Sequence, residues 1–136
     1  MKRILLIGMA IWMVVGLTGC YEQIPPTTKG KILTTNGYKP EIIPPSRVWE
    51  GWREELVLLD TSVKMYKEPM TILMRDKLEL TFDVKVRVRV GGSEAVINSM
   101  FDDITPKDID GDGIPRKIVT LYDVYETYGK MLVRNV

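Results

Sequence analysis

The strictest pattern in the sequence is LELTFDVKVRVRV, from Leu78 to Val90. Apolar and polar residues alternate along this segment, and a β-strand places alternate side chains on opposite faces of a sheet. The pattern predicts a long strand with one buried face and one solvated face. Three basic residues on the polar face also suit an anion-binding site, although a solvated face is the commoner explanation: Lys85, Arg87 and Arg89.

Turn-forming residues divide the rest of the chain into short elements. Asn36-Gly37 predicts a hairpin turn, and Asp76-Lys77 predicts another before the long strand. A further strand is expected from Glu55 to Val63. Ser93 can cap a short helix, and Pro115 suits the first position of a final helix.

The expected fold class is α+β, with an antiparallel, strongly twisted β-sheet, a short helix and a longer C-terminal helix. Aromatic residues in the last segment spread beyond one narrow stripe, so a helix there needs a second packing partner. We expect Tyr125 and Leu132 to take part in self-association, most simply in a symmetric homo-oligomer.

The N-terminal segment predicts where the protein resides. Lys2 and Arg3 precede an apolar run from Ile4 to Leu17, and Leu-Thr-Gly leads to Cys20. A basic start, an apolar run and small residues at a cleavage point make up a secretory signal peptide. The LTGC motif resembles the signal of bacterial lipoproteins, which implies a diacylglycerol on the thiol of Cys20, cleavage before this residue and often an acyl chain such as palmitate on the new amine.

The lipoprotein resemblance divides the chain into three parts. Residues 1–19 are the signal peptide, residues 20–28 a lipidated tether, and residues 29–136 the folded domain. Several acyl chains hold a protein far more firmly than one, so we expect an exported protein that stays on a membrane surface. Tyr21 rather than Asp follows the acylated residue, which in a two-membrane bacterium implies the periplasmic face of the outer membrane.

The composition excludes several kinds of site. The sequence has no His, and its one Cys is the expected lipidation residue, which excludes Cys/His zinc sites, intrachain disulfides and Ser-His-Asp catalysis. Without Lys2 and Arg3, 17 basic residues face 18 acidic ones, so no nucleic-acid partner is expected. Glu54-Glu55 and Asp102-Asp103 are adjacent acids that would point apart on a strand. We therefore expect no enzyme activity and no cofactor.

The DIDGDG motif raises the question of calcium. Asp108, Asp110 and Asp112 match the first three oxygen ligands of a calcium loop. Arg116 and Val119 stand where the later ligands belong, so the closing carboxylate is missing. The same aspartates suit a turn and the start of a helix. The turn is favoured, weak calcium binding stays the alternative, and no metal ligand is assigned.

Several features occur in a recognisable order between Thr28 and Val90. They are a hairpin near the anchor, a proline-then-aromatic bend from Pro44 to Trp52, the segment Leu59-Asp60-Thr61, and RDKLEL entering the long strand. This order resembles the SPFH, or band 7, domain of the prohibitin and stomatin type. The likeness is loose from Ser93 onward, and the coiled-coil extension usual in the family is absent from the sequence, so the chain is a short variant or a fragment.

The resemblance implies a non-catalytic scaffold that assembles at a membrane, often with membrane proteins. The sequence thus predicts a lipid-anchored homo-oligomer with a membrane-protein partner. The alternative is a small envelope lipoprotein that acts as a binding module, for example an exclusion or immunity factor. In that case the weak calcium loop or the bend at Trp49 and Trp52 would contact the partner.

Overall fold

A computed structural model describes residues 21–51, 53–110 and 115–134. The described chain contains nine strands, namely β1 (Tyr21–Gln23), β2 (Thr28–Thr34), β3 (Gly37–Tyr38), β4 (Arg47–Trp49), β5 (Glu55–Asp60), β6 (Val63–Leu73), β7 (Glu79–Arg89), β8 (Lys107–Asp110) and β9 (Pro115–Val119). The helical elements are α1 (Glu94–Asp103), α2 (Leu121–Val124), a π-helical turn (Tyr125–Gly129) and α3 (Lys130–Arg134). The last three follow one another without a break, and we call residues 121–134 the final helix.

The central strand of the fold is β5, whose sequence ELVLLD contains a continuous apolar run. Such a run needs cover on both faces of the sheet, unlike an alternating strand. Leu56 and Leu58 pack on one side with Ile24, while Val57 and Leu59 join the larger core on the other side. Because both faces are covered, β5 is the best buried strand of the protein.

The main sheet has five strands in the order β3-β2-β5-β9-β8. β2 pairs antiparallel with β5, and β9 pairs parallel with β5, with Val57 opposite Lys117 and Leu59 opposite Val119. β8 then adds to β9 as an antiparallel edge strand. A parallel pair needs a long connection, and here that connection contains β6, β7, α1 and β8.

The helices cover the larger core. Ile97, Met100 and Phe101 of α1 are buried against it. The final helix begins after Thr120, whose side-chain oxygen accepts a hydrogen bond from the backbone N–H of Asp123 at 3.2 Å. This is the N-cap arrangement that satisfies one otherwise unpaired donor of the first turn.

A second small sheet consists of β1 and β4, which pair antiparallel with Tyr21 opposite Trp49. Residues 21–28, expected to form a tether, are therefore part of the fold. Ile24 is buried against Leu56 and Leu58, and Thr28 opens β2. The described part of the fold begins with β1 at Tyr21.

The third sheet is a separate hairpin of β6 and β7, joined by a turn at residues 74–78. Each strand has 11 residues, which gives a length of roughly 35 Å. We call residues 63–89 the arm. The strand prediction for the alternating segment and the predicted turn at Asp76-Lys77 are both confirmed.

The expected fold class is wrong. Strands contain 48% of the described residues and form several sheets with mixed parallel and antiparallel pairing, so the protein is mainly β and does not have a single antiparallel twisted sheet with a long helix. Much of the error lies at Pro115, which opens β9 where a helix was predicted. The final helix is correspondingly short and starts at Leu121.

Candidate functional site

Several predicted site residues lie outside the part of the chain that the structure describes. Cys20 is one of them, and so are Asp112 and Trp52. Asp108 and Asp110 belong to β8, where Asp108 is exposed. Among the residues described, no three acidic, His or Cys side chains come together as a metal site. The calcium alternative at DIDGDG stays a prediction, because residues 111–114 are not described.

The adjacent acids predicted as poor catalytic pairs are engaged separately. Glu54 forms an ion pair with Lys39 at 2.6 Å, and Glu55 forms one with Lys117 at 2.8 Å. Lys39 lowers the pKa of Glu54. Asp103 accepts a hydrogen bond from the hydroxyl of Tyr128. Each of these three carboxylates therefore joins two separate segments of the chain.

A carboxyl pair that the sequence did not predict lies beside the first strand. Glu22 of β1 lies near Glu50, and the Nε of Arg116 in β9 is 2.8 Å from its Oε1. Burial and the neighbouring Glu50 raise the pKa of Glu22 from 4.5 to about 7, although Arg116 opposes this. These residues are far apart in sequence, so no local pattern indicates that they meet.

The carboxyl groups of this pair do not line the surface depression nearest to them. Tyr21, Gln23 and Arg47 line the depression, and Tyr21 and Gln23 flank Glu22 on the same strand. Since neighbouring side chains on a strand point to opposite faces, Glu22 points away from the depression. Glu22 thus joins β1 to the main sheet through Arg116 and does not contribute to this depression.

The most unusual surface of the protein is the arm. Toward the tip, cross-strand register places apolar residues of β7 beside apolar residues of β6 on one face, with Leu80 opposite Ile72 and Phe82 opposite Met70, whereas Val84 lies opposite Glu68 and Val88 opposite Lys64. We call this the apolar face of the arm. Leu80 and Ile72 are each 44% exposed, and Leu78 at the turn is 60% exposed. The strand was expected to bury this face, and the distal half of the arm does not do so.

The base of the arm is fixed to the final helix. The ring of Tyr66 stacks on Tyr125 with 4.8 Å between centroids, and it meets Tyr122 edge-on at 5.7 Å. Burial raises the pKa of the Tyr66 hydroxyl. Val88 packs against the same core. The apolar face is therefore covered near the body and bare toward the tip.

This packing corrects the expected self-association residues. Tyr125 is 1% exposed because its ring lies between the helix and the arm, so it is not available to another molecule. Leu132 is 73% exposed. Gly129 allows the Tyr125 ring to lie against the helix, since an added Cβ would come within 2.7 Å of its Cδ2.

On the opposite face of the arm β7 contributes polar residues whose charges are ordered along the strand, while β6 adds the exposed apolar residues Leu73, Met65 and Val63. Glu79 and Asp83 lie toward the tip, and the three basic residues lie toward the body. Lys67 and Asp83 form an exposed ion pair at 3.0 Å across the two strands. The basic residues are all exposed, which agrees with a solvated face. No described feature converges on them as an anion site would require.

The turn at the tip has a defined conformation. The N–H of Lys77 donates to the carbonyl of Met74 at 2.9 Å, and Lys77 has a φ of 67°. A turn followed by one left-handed residue is a common way to close a three-residue hairpin loop. The arm therefore ends in an ordered turn and presents its apolar residues on a regular surface.

Within the described residues, no helix has the length and apolar character needed to cross a membrane. Comparison with known proteins finds no matching family model, no matching curated protein and no matching solved structure.

Proposed function

We propose that this protein is a lipid-anchored, non-catalytic scaffold that works at a membrane surface by binding protein through its arm. The observation that carries the proposal is the bare apolar face of the arm between Met70 and Phe82. Leaving such residues in water forgoes roughly 25 cal/mol for each Å² of apolar surface that could be buried. An ordered hairpin that keeps apolar side chains exposed to water is typical of an interaction site.

The arm suits protein binding better than ligand binding. Its apolar residues lie along one face of a two-stranded hairpin, whereas small-molecule sites are concave and enclose most of the ligand. Among the residues that the structure describes, neither strand has a second partner along its outer edge, and extended segments bind such edges by adding a strand. Shape and backbone chemistry together favour another polypeptide as the partner.

The membrane part of the proposal rests on Cys20 and on the surface beside it. Tyr21 and Trp49 lie opposite each other across β1 and β4, with exposures of 71% and 57%. Tyr and Trp prefer the boundary between headgroups and acyl chains, where an aromatic ring and a polar tip are both accommodated. An exposed aromatic pair next to an acylated residue fits a domain that rests against the bilayer.

The proposed task, a scaffold at a membrane, comes from the SPFH resemblance. No feature of that family's fold is carried over. Absence of catalysis is supported by the acids described above, which are engaged in ion pairs or turned away from the nearest depression. Export to the periplasmic face of the outer membrane stays part of the proposal for a two-membrane host.

Photo-crosslinking in membranes tests the proposal. The full chain would carry a photoreactive amino acid at Leu80 on the arm or, as a matched control, at the exposed Glu41 on the body. We expect protein adducts from Leu80 and few from Glu41. Absence of adducts from Leu80 would overturn the proposal, and an adduct with a different envelope protein would favour the binding-module alternative.

Metabolic labelling tests the anchor separately. A palmitate analogue should label the wild-type chain and leave Cys20→Ser unlabelled, because this is the only Cys in the sequence. Cys20→Ser should also leave the membrane fraction. Labelling that survives the substitution would contradict the lipoprotein assignment.

A further inference from the structure

The outer edge of β7 has the properties of a pairing surface. In the described residues, β6 and β7 pair only with each other, so the arm has two unpaired edges. Unpaired strand edges invite association with other strands. The two edges of the arm differ in their chemistry, and that difference indicates which one binds.

The tip of the arm shows which backbone groups point outward. The N–H of Met74 donates to the carbonyl of Leu78 at 2.8 Å, so these residues form a hydrogen-bonded pair. Such pairs alternate with non-hydrogen-bonded pairs along an antiparallel ladder. Every second residue from Glu79 to Arg89 therefore directs its N–H and C=O away from β6, and this outer row contains no proline.

The outer edge of β6 is different, because Pro69 lies in its middle. Pro69 stands opposite Asp83, which the same alternation makes a non-hydrogen-bonded pair. Its nitrogen thus faces outward and carries no hydrogen to donate. Proline on an edge strand discourages further pairing. Of the two edges, that of β7 is the one left able to accept another strand.

The charge order along β7 makes this edge complementary to itself. If a second β7 lies antiparallel about a two-fold axis at Val84, Glu79 comes opposite Arg89 and Asp83 comes opposite Lys85. Each pair occurs twice in such a dimer. On the apolar face the same register places Leu80 opposite Val88 and Phe82 opposite Val86. Opposite charges and apolar pairs are the cross-strand neighbours that stabilise sheets.

Neighbouring registers lack this match. A slip of one residue between the strands would place polar residues opposite apolar ones and turn one apolar face over. An axis at Asp83 or at Lys85 would place that residue opposite its own copy, and like charges directly opposite each other are destabilising. The axis at Val84 is the register in which both acids of β7 meet basic residues.

We infer that two copies of this chain pair edge to edge through β7, about a two-fold axis at Val84, and form a four-stranded antiparallel sheet from their arms. The inference rests on the proposed function, in which the arm binds protein, and it specifies a second copy as the partner. The blunted β6 edges end the sheet at four strands, so the assembly is a closed dimer.

Disulfide trapping of the full chain in membranes tests the register. Val84→Cys places two thiols at the axis in a non-hydrogen-bonded pair, about 4.5 Å between Cα atoms, within the range that a disulfide spans. Val86→Cys is the matched control, because the register moves its two copies apart by about four residues along the strands. We expect at least about tenfold more covalent dimer from Val84→Cys, with the wild type controlling for Cys20.

A mixture of variants and a charge reversal complete the test. Phe82→Cys and Val86→Cys should form disulfides with each other and not with themselves. In the Val84→Cys background, Glu79→Arg or Arg89→Glu alone should lower the dimer yield several-fold, and the two together should restore it. The structure describes no ion pair of either residue within its own chain, so the reversal reports on the partner.

The outcomes separate this inference from the proposed function. Adducts from Leu80 with a second copy of this chain, without trapping at Val84, would overturn the two-fold pairing at Val84 and leave the scaffold proposal intact. Equal trapping at Val84 and Val86, or covalent ladders beyond the dimer, would also overturn it. Loss of both adducts and trapping would reject both.

Discussion

β5 and β7 are both rich in apolar residues, yet they meet opposite environments. β5 has a continuous run and each of its four central residues is at most 3% exposed, whereas Leu80 and Phe82 of β7 are 44% and 39% exposed. A run without alternation can be accommodated only inside the fold, because it has no solvated face. An alternating strand needs cover on one face alone, and a separate molecule can supply that cover.

The same substitution in the two strands should therefore have unequal effects. Leu59→Ala removes a side chain of 0% exposure from the larger core and should lower the free energy of unfolding by about 2–5 kcal/mol. Leu80→Ala on the arm should change it by less than about 0.5 kcal/mol. Denaturant unfolding of both variants measures the difference. Equal losses would show that the arm's apolar face is covered within one copy.

A glycine in the final helix sharpens the boundary between body and arm. Gly→Ala inside a helix normally stabilises by about 1 kcal/mol. Gly129→Ala should instead cost about 1–3 kcal/mol through overpacking, because the new methyl would meet the Tyr125 ring that holds the arm. The control is Thr127→Ala, at an exposed position of the same helix two residues before Gly129. A thermal stability of Gly129→Ala above the wild type would contradict this packing.

The body should also respond to pH through Glu22. The folded protein keeps the proton of Glu22 up to about pH 7, whereas the unfolded chain releases it near 4.5. The stabilising contribution is thus present below pH 4.5 and is lost as the pH rises to 7. Asp60 and Asp123, whose pKa values are lowered, act below this window. Glu22→Gln should reduce the fall in Tm between about pH 4.5 and pH 8, and Glu41→Gln should not.

The smallest expected effect on stability belongs to Pro69. Pro69→Val restores an outward N–H to β6 and should leave the unfolding free energy within about 0.5 kcal/mol of the wild type. We expect species larger than a dimer, because a second edge becomes able to pair. Light scattering of the full chain in detergent would detect them. An unchanged size distribution would show that Pro69 does not limit assembly.

Local patterns predicted β7 and the turn at the tip, but they predicted neither β6, which begins at Val63 where the expected strand from Glu55 ends, nor the environment of the arm. The alternation of β7 and the turn at Asp76-Lys77 act between neighbours in the chain, so both could be predicted from the sequence. The hairpin near Asn36-Gly37 also forms, with Thr35 and Asn36 at its centre and Gly37 at a φ of 109°. Nothing local indicates whether an apolar face will meet the body or remain bare.

Long-range pairing accounts for the remaining errors. β9 is a short segment whose parallel partner, β5, lies on the far side of the arm and α1 in sequence, and Pro115 suits a helix start as well as the first residue of a strand. The meeting of Glu22, Glu50 and Arg116 depends on that same pairing. Strand β7 of the candidate site could therefore be predicted from the sequence. The exposure of its apolar face and the meeting of Glu22 with Arg116 could be seen only in the assembled fold.

The start of β1 at Tyr21 has a geometric consequence for the proposed dimer. With Cys20 as the proposed anchor of each copy, both anchors enter one bilayer from the same side, which requires the two-fold axis to lie along the membrane normal. In an antiparallel sheet the axis that relates two strands is perpendicular to the sheet. The joined arms would then lie parallel to the bilayer plane. The two bodies would lie at opposite ends of the joined arms, at equal height above the lipid.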